Sequence, residues 1–387
     1  MSVCIVGWGH TAFGKRTDAD TEALTLEAAQ VALADAGIAP TDVDEIVVGS
    51  TGRLADQAFP SSLPLQMDDA MRFTPSTNVE NACATGTAAI HQGMAAIRSG
   101  RARFVLVVGV EKMTGASREQ VAENLLKASY VKEESHIRGG FAGVFGLIAE
   151  SYFQRHGDKS DALAAIAAKN HRNGAKNPLA HFQKDLGYDF CRHASEKNPQ
   201  VAGPLKRTDC SPVSDGAAAL VLTDVETALS MPKAVIFRAA SHVNDFLPMS
   251  KRDVVLMEGC GEAWARALGQ AGLTLDDLDF VETHDCFTMA ELLEYEAMGL
   301  APRGEGAEAI LDGWTEVGGK LPVNPSGGLK SKGHPIGATG VSMHVMSAMQ
   351  VTGNAGDMQL PDATLAGIFN MGGVSVANYC SILEPIR

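Results

Sequence analysis

The sequence predicts an α/β protein made of two duplicated halves packed in layers, with an extra region inserted into the first half. Three observations lead to this prediction. Strand patterns alternate with helix patterns, distant segments resemble each other, and one stretch rich in basic residues interrupts the alternation. Such alternation is typical of right-handed crossovers and of a mainly parallel sheet that helices cover on both faces.

Each element of the first half follows from a local pattern. The apolar run at residues 3–7 predicts a buried strand, and residues 25–36 carry apolar side chains at helical spacing. A second strand is predicted at residues 44–49 and a third at residues 103–109. The helix between these two strands is expected to begin near Cys83.

The duplication is visible as three pairs of similar segments. They are residues 34–46 with 269–281, the Ala-Thr-Gly motif at 84–86 with that at 338–340, and residues 104–109 with 366–372. In such a pair of α/β units, corresponding loops at the carboxyl ends of the strands converge on one crevice. We therefore expect functional residues from both halves to meet there.

Between the halves, the pattern changes over about residues 115–210. Basic residues such as Lys169, Lys184 and Arg207 collect there in an otherwise acidic protein. We interpret this stretch as a lid over the crevice, suited to a phosphate-bearing ligand, with a solvated helical excursion as the alternative. The predicted domains are residues 1–230, which include the lid, and residues 231–387.

The composition argues against several classes of function. A formal net charge of -14 without a long basic tract argues against a nucleic-acid partner. The seven cysteines are an odd number and form no Cys-x-x-Cys pair, which fits reduced thiols better than disulfides or a structural metal site. No apolar stretch is long enough to span a bilayer. We expect a cytoplasmic protein without a membrane partner or a bound metal.

Cys83 lies where an extended polar segment, residues 76–80, gives way to small helix formers. At a helix N-terminus, free backbone N–H groups and the helix dipole favour an anion and lower a thiol pKa. The dipole contributes only about 0.3–1 kcal/mol, whereas one pKa unit needs about 1.4 kcal/mol. A nucleophilic Cys83 therefore also needs a base, and a small buried hydrophobe is the alternative interpretation.

Three further loops carry chemically useful residues next to predicted strands or helices: residues 283–287, 327–337 and 369–373. Taken singly, His284 or His334 is more often a structural histidine than a catalytic one. Because equivalent loops of duplicated halves converge, His284 and His334 are both expected to face Cys83. A thiol nucleophile, an imidazole base, a second acid or base and free backbone N–H groups are the set that acyl transfer requires.

Together these motifs resemble the thiolase superfamily, and most closely the sterol-carrier-protein-2 type of thiolase. The resemblance rests on four ordered motifs: Asn-Ala-Cys-Ala-Thr-Gly at 81–86, Asp-Cys-Ser-Pro-Val-Ser-Asp-Gly-Ala-Ala at 209–218, His-Asp-Cys-Phe at 284–287 and Gly-His-Pro at 333–335. It implies a thiolase-like fold, two βαβαβαββ halves in αβαβα layers. It also implies an acyl-CoA C-acyltransferase of lipid and fatty acid metabolism that makes or cleaves 3-ketoacyl-CoA.

The resemblance further implies residue roles. Cys83 takes the acyl group as a thioester, and His334 activates the thiol and lines one oxyanion hole. His284 stands where most thiolases carry an asparagine of the same oxyanion hole. These three residues form the core of the implied catalytic set.

Two other positions distinguish this chain from many thiolases. The Cys-x-Gly loop that holds a second catalytic cysteine in those enzymes is here Asn370-Met371-Gly372. In the resembling subfamily, Cys286 takes over as the acid and base. Gly372 and Asn370 are assigned to the oxyanion and substrate side, where the N–H groups of Cys83 and Gly372 would bind the thioester oxygen.

The implied ligand is coenzyme A or acyl-CoA as substrate, with no permanently bound cofactor. The implied assembly is a homodimer or homotetramer that pairs through residues 78–82. The missing second cysteine keeps open an alternative, a thiolase-fold acyltransferase or aldolase that requires a small partner protein. A third alternative, a non-catalytic acyl-CoA or lipid-binding protein, would have no need for Cys83, His284, Cys286 and His334 together.

Overall fold

The computed structural model describes residues 2–386, so Met1 and Arg387, the outer ends of the two predicted domains, lie outside it. The first half contains β1 (Val3–His10), α1 (Thr21–Ala36), β2 (Glu45–Gly49), β3 (Ser76–Val79), α2 (Thr85–Arg98) and β4 (Phe104–Glu111). α1 starts where the Asp20 side chain accepts the N–H of Ala23 and ends at Gly37 in the left-handed conformation. The strands and helices predicted for this half are confirmed, with small shifts of their ends.

The inserted region is mostly helical, and the first half closes after it. Its elements are α3 (Arg118–Leu126), α4 (Val131–Glu134), α5 (Gly140–His156), α6 (Ser160–Gly174), α7 (Tyr188–Arg192), β5 (Gln200–Ala202) and β6 (Leu205–Lys206). The chain then returns as β7 (Gly216–Asp224) and α8 (Val225–Ala228). The lid is thus a separate substructure between two neighbouring strands of one sheet.

The second half repeats the plan of the first. It contains β8 (Val235–Asn244), α9 (Glu258–Ala271), β9 (Phe280–Glu282), α10 (Thr288–Ala297), α11 (Gly306–Leu311), α12 (Gly328–Lys332), α13 (Ile336–Val351), β10 (Ala366–Gly372) and β11 (Ala377–Pro385). Within residues 2–386, no helix has the length and apolar character needed to cross a membrane.

The main sheet has nine strands in the order β3-β2-β4-β7-β1-β8-β11-β10-β9. Outward from the β1–β8 pair, the first four strands of each half follow the same order, which confirms the duplication. In place of a counterpart of β3, the second half has an isolated bridge between Val281 and Val323. The sheet is mixed, so the expectation of a mainly parallel sheet is wrong. β7 lies antiparallel between β1 and β4, and β11 lies antiparallel between β8 and β10. Neither strand is reached by a right-handed crossover, because β7 returns from the lid and β11 follows β10 through a tight turn.

The helices complete five layers. α1 covers the outer face of the first half of the sheet, α9 covers the outer face of the second, and α2 and α13 pack together between them. The two central helices cross at the glycines of the repeated Ala-Thr-Gly motif. A Cβ on Gly340 would lie 2.4 Å from the backbone N of Thr87, and one on Gly86 would lie 2.8 Å from the carbonyl O of Gly337. This αβαβα arrangement confirms the predicted fold class.

One crossover differs between the halves. Between β2 and β3 the longest regular segment is a 3₁₀ helix, Pro60–Met67, with prolines at 60 and 64. The corresponding part of the second half holds the α-helices α10 and α11. Proline removes a backbone donor and disfavours a continuous α-helix, so one helix of the predicted βαβαβαββ pattern does not form in the first half.

Candidate active site

Cys83 lies in the loop between β3 and α2, just before the N-cap residue Ala84. The predicted position next to a helix start is confirmed. The loop is tight, because Ala82 has a φ of +50°, which costs a non-glycine residue about 1 kcal/mol or more. The Thr85 hydroxyl holds this shape by accepting the N–H of Asn81 at 2.9 Å and donating to the carbonyl of Ala82 at 2.6 Å.

The Cys83 thiol is 8% exposed and contacts apolar side chains of Met113, Val121 and Ile336. Burial raises the pKa of Cys83 to about 12, although the N–H of Gly373 donates to the sulfur and works in the opposite direction. The expectation that the helix start lowers the thiol pKa is therefore wrong for the resting protein. Desolvation outweighs the dipole, and the requirement for a base becomes stricter.

His334 supplies an imidazole in a defined tautomer. It lies between α12 and α13, 8% exposed, and its Nδ1 is 2.6 Å from the hydroxyl of Thr339. That hydroxyl donates its only proton to the carbonyl of Pro335 at 3.0 Å, so Nδ1 must be the donor to Thr339. Nε2 then carries the lone pair. Burial, with the charge of Lys332, lowers the pKa of His334 to about 3, so in the resting protein the ring is neutral and Nε2 is unprotonated.

His284 follows β9 and has the opposite tautomer. The amide of Asn370 donates to His284 Nδ1 at 2.8 Å and to the carbonyl of Cys83 at 3.2 Å, while its oxygen accepts from Thr87 at 2.7 Å. Because Nδ1 accepts, Nε2 must carry the proton. That N–H is buried and has no hydrogen-bond partner among residues 2–386. Burial lowers the pKa of His284 well below its usual value, so the ring is a neutral donor.

These groups converge on one point. The sulfur of Cys83 and one ring nitrogen each of His284 and His334 lie within 4.8 Å of one another, and the two rings meet edge to face at 5.1 Å. Such a trio could also be considered as metal ligands. A protonated ring nitrogen on His284 cannot coordinate a metal ion, so the donor chemistry fits a nucleophile, a base and a hydrogen-bond donor better.

Cys286 follows His284 in the same loop and lines the same cavity as Cys83 and His334. It is 4% exposed. Burial, followed by electrostatic interactions with Cys83, Glu294 and Asp285, raises the pKa of Cys286 well above its usual value. The loop is fully desolvated, which disfavours the thiolate. The resting Cys286 is a protonated thiol.

Comparison with known proteins agrees with this arrangement. The family described as Thiolase, N-terminal domain matches residues 3–226, and the family described as Thiolase C-terminal domain-like matches residues 241–385. The chain belongs to the thiolase family. The predicted resemblance is confirmed, and with it the enzyme class, a thiolase-type acyl-CoA acyltransferase.

Individual relatives can be aligned with nearly the whole of this chain. An acetyl-CoA acetyltransferase of Methanothermobacter thermautotrophicus is 34% identical over 96% of this chain and 96% of its own. Sterol carrier protein 2 of Homo sapiens is 34% identical over 96% of this chain and 70% of its own. A chain of the solved Ltp2-ChsH2(DUF35) aldolase superimposes with a TM-score of 0.85 at 22% identity, covering 100% of this chain and 98% of that one, which supports the fold alone.

The thiolase site also contains residues that hold the catalytic groups in place and whose roles the sequence did not reveal. Asn370 is fully buried, and its amide is occupied by His284, the Cys83 carbonyl and Thr87, so it orients the site rather than facing substrate. The N–H that donates to the Cys83 sulfur belongs to Gly373, one residue beyond Gly372. Gly372 fits closely against the loop, since a Cβ there would lie 2.4 Å from the carbonyl of Asn81.

Some of these residues carried a sequence signal. Thr339, which fixes the His334 tautomer, belongs to the repeated Ala-Thr-Gly motif. Gly373 belongs to a Gly-Gly pair at the end of a predicted strand. Thr87 carried no such signal, because its contact with Asn370 joins residues far apart in the chain.

The cavity next to Cys83 has a volume of about 1150 Å³ and is lined by both apolar and basic side chains. We define the apolar wall as Met113, Val121, Leu125, Phe141 and Ile336, and the basic wall as His181, Lys184, Lys197, Arg207 and Lys330. The basic wall is formed mainly by the inserted region, as expected for a lid that faces a phosphate-bearing ligand. Lys169 is an exception, since it is fully buried and pairs with Glu291 at 2.6 Å.

Proposed function

We propose that this thiolase makes or cleaves 3-ketoacyl-CoA through an acyl thioester on Cys83. The observation that carries the proposal is the convergence of the Cys83 sulfur with a ring nitrogen of His334 and one of His284 within 4.8 Å, together with the buried, unpartnered N–H of His284. A nucleophile, its base and a donor for a developing oxyanion are the groups that acyl transfer needs.

In the first step, His334 Nε2 takes the proton of the Cys83 thiol while the sulfur attacks the carbonyl carbon of the acyl donor. The carbonyl oxygen becomes an oxyanion, for which the backbone N–H groups of Cys83 and Gly372, with that of Gly373, are proposed as donors. Collapse expels the leaving group, and His334 returns the proton to it. For an acyl-CoA donor, the leaving group is coenzyme A.

In the second step of synthesis, a base removes a proton from the α-carbon of another acyl-CoA. The resulting enolate attacks the Cys83 thioester, and the Cys83 thiolate leaves. We assign this proton to Cys286, whose own proton passes first to the freed His334 and then to the leaving Cys83 thiolate. We assign the enolate oxygen to the N–H of His284. Because the pKa of Cys286 is raised by burial, the resting group is an acid. This state matches the cleavage direction, in which an enolate leaves and must be protonated.

Coenzyme A is proposed to lie along the basic wall, because exposed Lys184, Lys197 and Arg207 offer charges to its phosphates. The acyl group would then lie against the apolar wall next to Cys83. This assignment makes coenzyme A a substrate that enters and leaves, without a permanently bound cofactor, in lipid and fatty acid metabolism. A cytoplasmic setting is part of the same proposal, since all seven cysteines are free thiols.

A closed homo-oligomer, a homodimer or homotetramer, is proposed as the assembly. Among residues 2–386, β3 is an outermost strand of the sheet and pairs with β2 alone, so its other edge has backbone groups without a strand partner. Phe73, three residues before this strand, is 83% exposed. Both features support pairing with a second copy. Light scattering that finds an active monomer of 40.7 kDa would contradict this assembly.

The alternative is a thiolase-fold acyltransferase or aldolase that requires a small partner protein. It is supported by Asn370 at the place where many thiolases carry the second cysteine. Turnover of 3-ketoacyl-CoA by the purified chain alone supports the thiolase. Turnover that appears only after a second polypeptide is added supports the alternative.

The decisive experiment is intact-mass spectrometry after incubation with acetyl-CoA and a panel of longer acyl-CoAs. We expect an acyl adduct on the wild type and none on Cys83→Ala. Cys210→Ala is the matched control, because Cys210 also lines the cavity but has no role in the proposed steps. An adduct of equal size on Cys83→Ala would refute the assignment.

A further inference from the structure

α13 begins without a capping side chain of its own. Its N-cap residue is Pro335, which makes no side-chain cap, so the first N–H groups of the helix need acceptors from elsewhere. The first half of the molecule provides one. The N–H of Gly337 donates to Oε2 of Glu111 at 3.1 Å. His334 lies three residues before Gly337, so this contact anchors the start of the helix next to the base.

Glu111 is the last residue of β4, is 1% exposed and lies on the cavity wall. Its carboxylate also accepts the backbone N–H of Thr51 at 3.0 Å and the Thr51 hydroxyl at 2.9 Å. Thr51 belongs to the loop that follows β2. A single carboxylate therefore connects the ends of two strands of the first half to the first turn of α13.

The surrounding backbone is closely packed as well. A Cβ on Gly337 would lie 2.5 Å from the carbonyl O of Val110 and 2.6 Å from that of Gly49, at the ends of β4 and β2. A negative charge at a helix N-terminus is also favoured by the helix dipole. The first turn of α13 thus packs closely against the ends of β2 and β4, and Glu111 accepts a hydrogen bond from its Gly337 N–H.

We propose that Glu111 is a positioning residue of the site, which holds the His334 loop at the distance from Cys83 that proton transfer requires. The inference deepens the proposed function and rests on its assignment of Cys83 and His334. Glu111 acts through α13, so its loss should displace the imidazole without removing a reacting group.

The electrostatic surroundings define how Glu111 responds to pH. Burial raises the pKa of Glu111 to about 7, against the hydrogen bonds from Thr51 and Gly337. Lys112, the next residue, pairs with Asp215 at 2.7 Å and so is engaged elsewhere. Arg53 and Glu80 also act on the Cys83 thiol, and His334 and Cys286 line the same cavity as Glu111.

The two possible roles of Glu111, as a positioning residue and as a negative charge, predict opposite changes in the reactivity of Cys83. The negative charge of Glu111 raises the pKa of the thiol, so by charge alone the loss of Glu111 would make Cys83 more reactive. If Glu111 positions His334, its loss makes Cys83 less reactive, because the base is displaced. The direction of the change therefore separates the two roles.

The test is the rate of Cys83 alkylation by iodoacetamide, followed by peptide mass spectrometry. It needs no acyl-CoA, so it remains valid even if the proposed function is wrong. At pH 7.5 we expect Glu111→Gln to react roughly 10- to 100-fold more slowly than wild type. Glu296→Gln is the matched control and should keep the wild-type rate. Glu296 is also a buried carboxylate, on α10, and it accepts the N–H of Gly306 at 2.9 Å.

The pH profile adds a signature that a merely structural role would not give. In wild type, the slope of log rate against pH should fall from about one to about zero near pH 7, since the Cys83 proton passes to His334 within the site and only Glu111 must ionise below that point. In Glu111→Gln the slope should stay near zero. Thr51→Val removes one donor to the carboxylate and should move the break to higher pH.

Two results overturn the proposal. One is a Glu111→Gln variant that reacts as fast as wild type or faster. The other is a wild-type profile without a break near pH 7. If Glu111→Gln does not fold, the wild-type and Thr51→Val profiles provide the test. A break near pH 7 that moves to higher pH in Thr51→Val supports the proposal, and the absence of that break overturns it.

Discussion

Equivalent loops of the two halves of the molecule meet at the active site but carry different catalytic residues. When the repeated Ala-Thr-Gly motifs are aligned, the second-half counterpart of Cys83 is Gly337, and His334 lies three residues earlier. The helices behind both loops cross at Gly86 and Gly340. The duplication thus brings the two loops together, whereas the catalytic side chains Cys83 and His334 lie at positions that are not equivalent in the two halves.

The two loops also differ in how they are held. The Cys83 loop depends on a local turn, with Ala82 at positive φ and Thr85 bonded on both sides of it. The His334 loop depends on α13, which is almost entirely buried, and on Glu111 from the other half. The turn before the nucleophile is therefore shaped by short-range contacts, whereas the start of the helix that follows the base is anchored by a contact from the other half.

The largest expected effect comes from removing the base. His334→Gln should slow acylation of Cys83 by about 10²- to 10⁴-fold, because a thiol whose pKa is about 12 hardly ionises by itself near neutral pH. Quenched-flow mass spectrometry with acetyl-CoA measures this step. His242→Gln, at an exposed histidine stacked on Tyr379, is the control. A rate within tenfold of wild type would mean that another group activates Cys83.

A somewhat smaller effect is expected at Cys286. Cys286→Ser should leave acylation of Cys83 largely intact but lower carbon–carbon bond formation by about 10²-fold, since only the second step uses the Cys286 proton. Thiolysis should fall as well, because the same group protonates the leaving enolate. Separate assays of acylation, condensation and thiolysis distinguish these steps. Near wild-type rates in both directions would assign the proton to a histidine.

The helix crossing predicts a stability effect that is similar in both halves. Gly86→Ala and Gly340→Ala should each lower the free energy of unfolding by about 1–3 kcal/mol or more, because the added Cβ meets the backbone of the partner helix. Gly269→Ala in α9 is the control, since a Cβ there meets nothing within 4 Å. It should be neutral or stabilising by about 0.5–1 kcal/mol. Urea unfolding gives all three values, and equal effects at Gly86 and Gly269 would exclude the close crossing.

The smallest expected change is in the protonation of His334. Since its pKa is lowered to about 3, the imidazole should stay neutral between pH 5 and 8. An NMR signal assigned with His334→Gln should not shift over this range, and a midpoint near pH 6.5 would show that the ring is not desolvated. The unfolded chain binds this proton below about pH 6.5, so the contribution of His334 to stability is lost as the pH falls below that value.

The sequence by itself determined the features that depend on neighbouring residues. Helical spacing before Gly37 located α1, and the change from polar to small residues located Cys83 at the start of α2. The repeated motifs identified the two halves and the loops that carry His284 and His334. These predictions succeed because periodicity, glycine positions and helix starts are set by short-range backbone geometry.

Only the tertiary structure decided the features that depend on distant contacts. The antiparallel insertion of β7 depends on how the chain returns from the lid. The raised pKa of Cys83 depends on apolar side chains such as Val121 and Ile336, and the tautomer of His284 depends on Asn370. Desolvation and hydrogen bonding act through space, so residues far apart in the chain determine whether each group at the site holds its proton.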